Sequence, residues 1–190
     1  LVSSLPSVDF YDMGQNSVAS LIAKGLENST APACIVYTAE NNNEAAEILR
    51  AKVNSKCDLN DNVQFLNTVI GKMSGVKTNL QEIESLGLKK ITPDSQRAFL
   101  VEEFNHILAT KVNINCFKPG IEVFVEKENL LPFEEAKLYG HNAIHATLAY
   151  LGYEKGYKKM SDLQRDTDLM NTAKDAFLNE SGAALCKKYE

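Results

Sequence analysis

The residues with the clearest chemical potential lie together in the segment 137–145, where Lys137, His141, Asn142 and His145 occur. On a helix that turns about 100° per residue, His141 lies roughly 40° around from Lys137, and His145 lies roughly 80° around. Asn142 lies roughly 140° around on the same scale. The four side chains therefore project within one arc of about 140° around the predicted helix.

The surroundings of Lys137 on that helix are largely apolar. Phe133, Ile144, Leu148 and Leu151 fall within about 40° of it. Desolvation disfavours the ammonium form and lowers the pKa of a lysine, which then acts as a base near neutral pH. A neighbouring amide and imidazole can hold a hydroxyl or carbonyl oxygen. This set suits removal of a proton from an alcohol while its carbon loses hydride.

Ordinary structural explanations stand beside this one. A lysine on a helix is commonly a solvated side chain, and a lone histidine is commonly a satisfied surface or core residue. His141 and His145 are also four residues apart and could clamp a zinc ion, although no Glu stands between them and the sequence shows no third ligand. Nucleophilic triads have no local signature, and none of the ten glycines forms a G-x-G turn.

The composition is that of a folded globular chain. It has 190 residues, of which 44% are hydrophobic and 24% charged, with a net charge of −5. These values argue against disorder and against a nucleic-acid partner. Because the overall charge does not favour an anionic phosphate ligand, such a ligand would need a local cationic site.

Targeting and redox signals are weak. The longest apolar stretches, residues 31–39 and 143–151, are far shorter than the roughly 20 residues of a membrane helix, and residues 1–6 do not resemble a signal peptide. The sequence therefore predicts a cytoplasmic protein with no membrane segment. Four separated cysteines without a C-x-x-C pair predict reduced thiols: Cys34, Cys57, Cys116 and Cys186.

The first quarter of the chain alternates between strand and helix patterns. The pattern predicts a strand over residues 8–13, a helix capped by Asn16 or Ser17, and a buried parallel strand over Cys34–Thr38. A second helix follows, capped by Asn42 or Asn43. Strand–helix–strand–helix order with short polar turns is typical of half a doubly wound α/β domain.

The pattern changes beyond about residue 60. Residues 98–104 and 122–125 have strand character, residues 63–73 suit a strand or a helix, and residues 132–152 form the strongest predicted helix. One or two more helices follow over residues 160–190. Gly140 inside the strongest helix is expected to weaken it by about 1 kcal/mol relative to Ala.

The fold class expected from these elements is α+β and mainly helical. Residues 1–55 would be the distal part of a Rossmann-type dinucleotide-binding domain. Residues 56–190 would be a mainly helical substrate and catalytic domain.

The spacing of Lys137, Asn142 and His145 resembles a known signature. It matches the K-x4-N-x2-H pattern of the polyol-specific long-chain dehydrogenases, the mannitol dehydrogenase family. Residues 38–41 resemble that family's acidic-Asn turn, where nicotinamide and substrate meet. Residues 176–189 resemble its branch that acts on mannitol 1-phosphate.

The resemblance implies an NAD-dependent oxidoreductase that interconverts mannitol or mannitol 1-phosphate with the corresponding ketose and needs no zinc. Lys137 would be the general acid/base, while Asn142 and His145 would bind the reacting oxygen and orient the substrate. Asn41 would approach the nicotinamide and the substrate.

Further positions follow from the same resemblance. Gly14, Asn16 and Glu40 would contribute to cofactor binding. Lys187 and Lys188 are candidates for a substrate phosphate, and they equally suit solvated charges. The protein could be a monomer or a homodimer.

The resemblance also implies that the chain is an incomplete portion lacking the G-x-G-x-x-G half, so that it would bind NAD weakly. Two alternatives stay open: a uronate reductase of the same family acting on fructuronate or tagaturonate, and a non-catalytic helical interaction module.

Overall fold

A parallel sheet flanked by helices forms the N-terminal part. The computed structural model describes residues 1–71, 74–103, 106–115, 117 and 120–190. Strands β1, β2 and β3 pair in parallel, and helices α1 and α2 connect them. The bounds are Val2–Ser3, Cys34–Thr38 and Val63–Val69 for the strands, and Val18–Glu27 and Ala45–Asn54 for the helices.

Local chemistry explains where α1 begins and how it packs. Ser17 is the N-cap, and its Oγ accepts a hydrogen bond of 3.2 Å from the backbone N–H of Ser20, as the sequence predicted. Ala19 and Ala23 lie four residues apart and are buried, so one face of α1 packs on the core. That core includes Val36 of β2 and Leu49 of α2.

The sheet continues through later strands. Among the described residues, β6 (Ile107–Thr110) pairs antiparallel with β3, and β7 (Phe124–Lys127) pairs parallel with β6. The order is β1-β2-β3-β6-β7. Two further strands, β4 (Ser74–Lys77) and β5 (Ala98–Val101), form a separate antiparallel sheet. The short helix α3 (Leu80–Ser85) lies between them in the sequence.

One continuous helical segment, residues 131–154, is called the long helix below. It consists of α4 (Leu131–Glu135), a π-helical segment (Ala136–Asn142) and α5 (Ala143–Glu154). Pro132 stands in its first turn, where a missing N–H costs nothing.

The C-terminal helices pack against the long helix. A 3₁₀ turn (Met160–Arg165) leads to α6 (Thr167–Asp175), a second π-helical segment (Ala176–Ser181) and α7 (Gly182–Lys188). A second apolar core joins α5 to these elements, and its buried members are Leu148, Leu163, Leu169 and Ala173.

The predicted strand over residues 8–13 is wrong. The segment forms a 3₁₀ turn over Val8–Asp12, and the strand is β1. Val8 and Tyr11 are three residues apart, so a 3₁₀ turn points both toward the core, and Ser7 caps the turn by accepting from the N–H of Asp9.

The predicted caps of α2 are also wrong. Its N-cap is Glu44, which makes no side-chain cap bond. Asn42 instead accepts a 2.8 Å hydrogen bond from the N–H of Glu44 inside the preceding turn.

The expected division at residue 55 falls directly after α2. β3, β6 and β7 all lie beyond that residue and extend the sheet that β1 and β2 begin. The α+β fold class is confirmed, as a partial Rossmann-like α/β sheet followed by a helical part. The two-domain division stays a prediction.

The other predictions from the sequence concern strands, cysteines and membrane segments. The segment 63–73 contains β3, the segment 98–104 contains β5, and the strand predicted over residues 122–125 lies two residues later as β7. Lys72, Met73, Phe104 and Cys116 lie outside the described residues. Cys34, Cys57 and Cys186 are free thiols. In the described part of the chain, no helix is long and apolar enough to cross a membrane.

Replacing either of two helical glycines with alanine should change the free energy of unfolding, in opposite directions. A Cβ added at Gly152 would lie 2.6 Å from Cδ2 of buried Leu163, whereas a Cβ at Gly25 meets nothing within 4 Å. Gly152→Ala should lower the free energy of unfolding by about 1–3 kcal/mol. Gly25→Ala should raise it by about 0.5–1 kcal/mol, because Ala is the better helix former. Urea unfolding measures both, and stabilisation by Gly152→Ala would contradict the packing described.

Candidate functional site

A cavity of about 460 Å³ lies where the carboxyl ends of β2 and β3 meet the long helix. Its wall includes residues 40–44, which follow β2, and Thr68 and Val69 of β3. The long helix contributes Lys137 and Asn142, among others. Ligands of open α/β sheets bind at the carboxyl ends of the strands, so this is the expected place for a site.

A buried amide fixes the turn between β2 and α2. Oδ1 of Asn67 accepts from the backbone N–H of Ala46 at 2.8 Å and from the hydroxyl of Thr38 at 3.2 Å. Its Nδ2 donates to the Glu47 carboxylate at 2.8 Å and to the Asn43 carbonyl at 3.3 Å. Both ends of the amide are therefore occupied, and the turn that carries Asn41 has a fixed position.

Glu40 ties this turn to the end of β1. Its buried carboxylate accepts a 3.0 Å hydrogen bond from the hydroxyl of Ser3 and a 2.9 Å bond from the N–H of Leu5. The Tyr11 hydroxyl is buried nearby, and desolvation together with the Glu40 charge raises the pKa of that phenol. Glu40 lines the cavity, and its carboxylate holds the turn in place.

Lys137 joins the long helix to the sheet. Its Nζ donates a 3.2 Å hydrogen bond to Oδ1 of Asn41. Burial lowers the pKa of this ammonium, which confirms the partial desolvation that the sequence predicts. Within the described part of the chain, Lys137 takes part in no salt bridge. A half-buried, unpaired lysine beside an amide is suited to take up and release protons.

The π-helical segment brings Asn142 to the same cavity. The backbone N–H of Ala143 donates to the Leu138 carbonyl, five residues earlier, as in a π turn. A regular helix would place Asn142 about 140° around from Lys137. The wider turn brings residues five apart onto one side, so both side chains line the cavity. Periodicity of 3.6 residues cannot show such a turn.

Glu134 is a site residue that sequence reasoning missed. Its place in the first turn of the long helix suits the helix dipole, but it is 7% exposed and lines the cavity three residues before Lys137. Burial, and secondarily the charge of Glu47, raises the pKa of Glu134 to about 7. The spacing of three residues from Lys137 was the available signal.

The two histidines lie beside the cavity. His145 is exposed and is not part of the cavity wall, and its ring centroid lies 4.2 Å from that of His141. Burial lowers the pKa of His141, and the nearby His145 and Lys137 lower it further. Among the described residues, no group of three or more His, Cys, Asp or Glu side chains could hold a metal ion. The role of His145 stays a prediction.

The structure does not bring Gly14 and Asn16 into the cavity. Both are exposed in the turn before α1, where Gly14 has a φ of 79°. The adjacent Asp12 forms a 2.8 Å ion pair with Lys56, which follows the C-terminal end of α2, whereas the cavity lies at the N-terminal end of that helix. Their assignment to cofactor binding stays a prediction.

The two C-terminal lysines also lie outside the cavity wall. Lys187 is exposed, and Lys188 binds Glu135 through contacts described below. Their assignment to a substrate phosphate stays a prediction.

Sequence comparison finds relatives named mannitol-1-phosphate 5-dehydrogenase. The chain is 28% identical over 181 residues, 91% of its length, to the mannitol-1-phosphate 5-dehydrogenase of Aureobasidium melanogenum, of which it covers 43%. It is 36% identical over 104 residues, 53% of its length, to the enzyme of the same name from Brevibacillus brevis, of which it covers 27%. The chain is similar in sequence to mannitol-1-phosphate 5-dehydrogenases over most of its own length. This confirms the resemblance carried by the K-x4-N-x2-H pattern.

Solved structures support the fold assignment. The Pseudomonas fluorescens mannitol 2-dehydrogenase, in a ternary complex with NAD and D-mannitol, superposes with a TM-score of 0.64 at 20% identity, over 84% of this chain and 35% of that one. No family model matches the chain. The chain spans less than half the length of these curated relatives.

The Asn67 network predicts a large stability effect. Asn67→Ala leaves the Ala46 N–H and the Glu47 carboxylate without this partner, which should lower the free energy of unfolding by roughly 2–3 kcal/mol. Asn54→Ala is the control, because Asn54 is exposed on α2. Urea unfolding of the two variants makes the comparison. Equal, small effects would contradict the positioning role of Asn67.

The buried Glu134 predicts a pH dependence of stability. The pKa of Glu134 is raised from 4.5 to about 7 in the folded chain. The protonated carboxyl therefore contributes stability that is fully present below the lower pKa and is lost as the pH rises through the higher pKa. Glu134→Gln removes the titrating carboxyl and with it this pH-dependent loss of stability. The variant should therefore gain stability relative to the unchanged chain between about pH 5 and about pH 8. Chemical denaturation at several pH values measures the difference, and a constant difference would contradict the raised pKa.

Proposed function

We propose that the protein containing this chain is an NAD-dependent dehydrogenase that interconverts a polyol or polyol phosphate, such as mannitol or mannitol 1-phosphate, with its ketose. The observation that carries the proposal is the half-buried Lys137, hydrogen-bonded to Asn41 and facing a cavity that Asn142 also lines. The names of the homologues supply the substrate class.

The chain's own residues supply the proton chemistry. Neutral Lys137 accepts the proton of the substrate hydroxyl, and burial lowers its pKa, which favours the neutral amine relative to that of an exposed lysine. The Oδ1 of Asn41 is occupied by Lys137, so its Nδ2 is left to donate to the reacting oxygen. Asn142 supplies a second amide on the same cavity wall. Both amides stabilise the charge that develops on that oxygen.

Glu134 serves as the next proton carrier. Its pKa of about 7 allows it to hold or release a proton at working pH, and it lies on the same cavity wall as Lys137. In the reverse direction Lys137 returns the proton to the oxygen as the ketose is reduced.

The residues present fit the reacting end of a dinucleotide. The cavity lies at the carboxyl ends of parallel strands, where such cofactors bind. A nicotinamide held at this end of the cavity would supply the acceptor for the hydride that leaves the carbinol carbon. The chain has no G-x-G turn to hold the pyrophosphate, so the fit concerns the nicotinamide end only.

Substitution of Lys137 tests the proposal. Lys137→Met keeps the alkyl stem but removes the base, so the rate of polyol oxidation should fall by about 10²–10⁴-fold. NADH absorbance measures the rate in the protein that contains this chain, with mannitol 1-phosphate and mannitol as substrates. Lys187→Met is the matched control, because Lys187 is exposed and outside the cavity wall.

The outcomes separate the open alternatives. Activity of Lys137→Met within a few-fold of the unchanged protein would contradict the base role. Turnover of fructuronate or tagaturonate in place of mannitol substrates would favour the uronate reductase. Absence of turnover with every substrate would favour the interaction module.

A further inference from the structure

Glu135 in the cavity wall is held by the C-terminal end of the chain. Lys188 Nζ lies 2.7 Å from both carboxylate oxygens of Glu135, and the Tyr189 hydroxyl donates to Oε2 at 2.6 Å. The Glu135 side chain is only 12% exposed. The Lys188 side chain is 54% exposed, whereas the Glu135 carboxylate is largely buried and accepts from both Lys188 and Tyr189. Hydrogen bonds to an ionised group are stronger than neutral ones, so these contacts hold the carboxylate in place.

The same C-terminal region contacts the π-helical segment at a second point. A Cβ added at Gly140 would lie 3.0 Å from Cε2 of the Phe177 ring. Gly140, which the sequence suggested would only weaken the helix, therefore allows Phe177 to approach closely. Lys137 lies between the contact at Glu135 and the contact at Gly140, and Asn142 follows Gly140 at the end of the same segment.

The two adjacent glutamates of the cavity wall consequently differ. Lys188 and Tyr189 hold the pKa of Glu135 below its usual range, whereas burial raises the pKa of Glu134. Glu135 is thus a fixed anion with its charge balanced. Lys188 already has a carboxylate partner, and a substrate phosphate would have to break that pair.

We propose that Lys188 and Tyr189 are positioning residues that clamp Glu135 and hold the π-helical segment in the geometry that places Lys137 and Asn142 in the cavity. Lys188 therefore acts on the reaction through Glu135, not as a ligand of a substrate phosphate. The catalytic consequence rests on the proposed dehydrogenase function. The clamp itself is a property of the fold and can be measured without turnover.

Amide hydrogen exchange tests the clamp directly. In Lys188→Met, exchange of the amides of residues 136–142 should accelerate by about tenfold or more, because the charge-assisted bonds that hold the segment are lost. Tyr189→Phe should have a smaller effect in the same direction. Lys188→Arg should restore slow exchange, since a guanidinium also pairs with a carboxylate on two points. Lys187→Met is the control and should leave exchange unchanged.

Kinetics of the protein that contains this chain distinguish the clamp from a phosphate site. The clamp predicts that Lys188→Met lowers kcat by about tenfold with mannitol 1-phosphate and with mannitol alike. A phosphate ligand predicts a raised KM for mannitol 1-phosphate alone, and that result would overturn the proposal. So would unchanged exchange in residues 136–142. If the unchanged protein turns over neither substrate, the proposed function fails, and the exchange result still decides the clamp.

Discussion

The hydrogen bond between Lys137 Nζ and Asn41 Oδ1 is the interaction on which the site depends. It spans 3.2 Å and joins residues 96 positions apart in the sequence. Asn41 lies in the turn that follows β2, and Lys137 lies on the long helix. A lysine that is half-buried without a carboxylate partner has a lowered pKa. The bond orients this amine, and within the described residues no salt bridge balances its charge. An ion pair at the same place would favour the charged lysine and oppose the base role proposed above.

The rest of the structure holds the two ends of that bond. On the sheet side, Asn67 and Glu40 fix the turn that carries Asn41 through buried hydrogen bonds. On the helix side, the π-helical segment turns Lys137 and Asn142 onto one side. Polar groups that are fully satisfied confer rigidity, which the proposed proton transfer needs because its geometry must exist before the substrate arrives.

The sequence predicted the features that depend on local pattern. Cys34–Thr38 is a parallel strand in which Val36 and Thr38 are buried, and Lys137 is partly desolvated. Ser17, one of the two predicted caps, is the N-cap of α1. The sequence did not predict the features that depend on tertiary contacts. The π-helical segment departs from 3.6-residue periodicity, and the raised pKa of Glu134 comes from burial that no local pattern encodes. Residues 8–13 suited a strand by composition, but the spacing of Val8 and Tyr11 suits the 3₁₀ turn that forms.

The protonation of Lys137 tests the central claim most directly. Nitrogen NMR of the lysine side chains, followed through a pH titration, reports the pKa of Lys137. The structure predicts that the pKa of Lys137 lies below the ordinary value of a lysine, and that Asn41→Ala alters the Lys137 signal and leaves the signal of exposed Lys187 unchanged. A pKa of Lys137 at the ordinary value, unaffected by Asn41→Ala, would contradict the account.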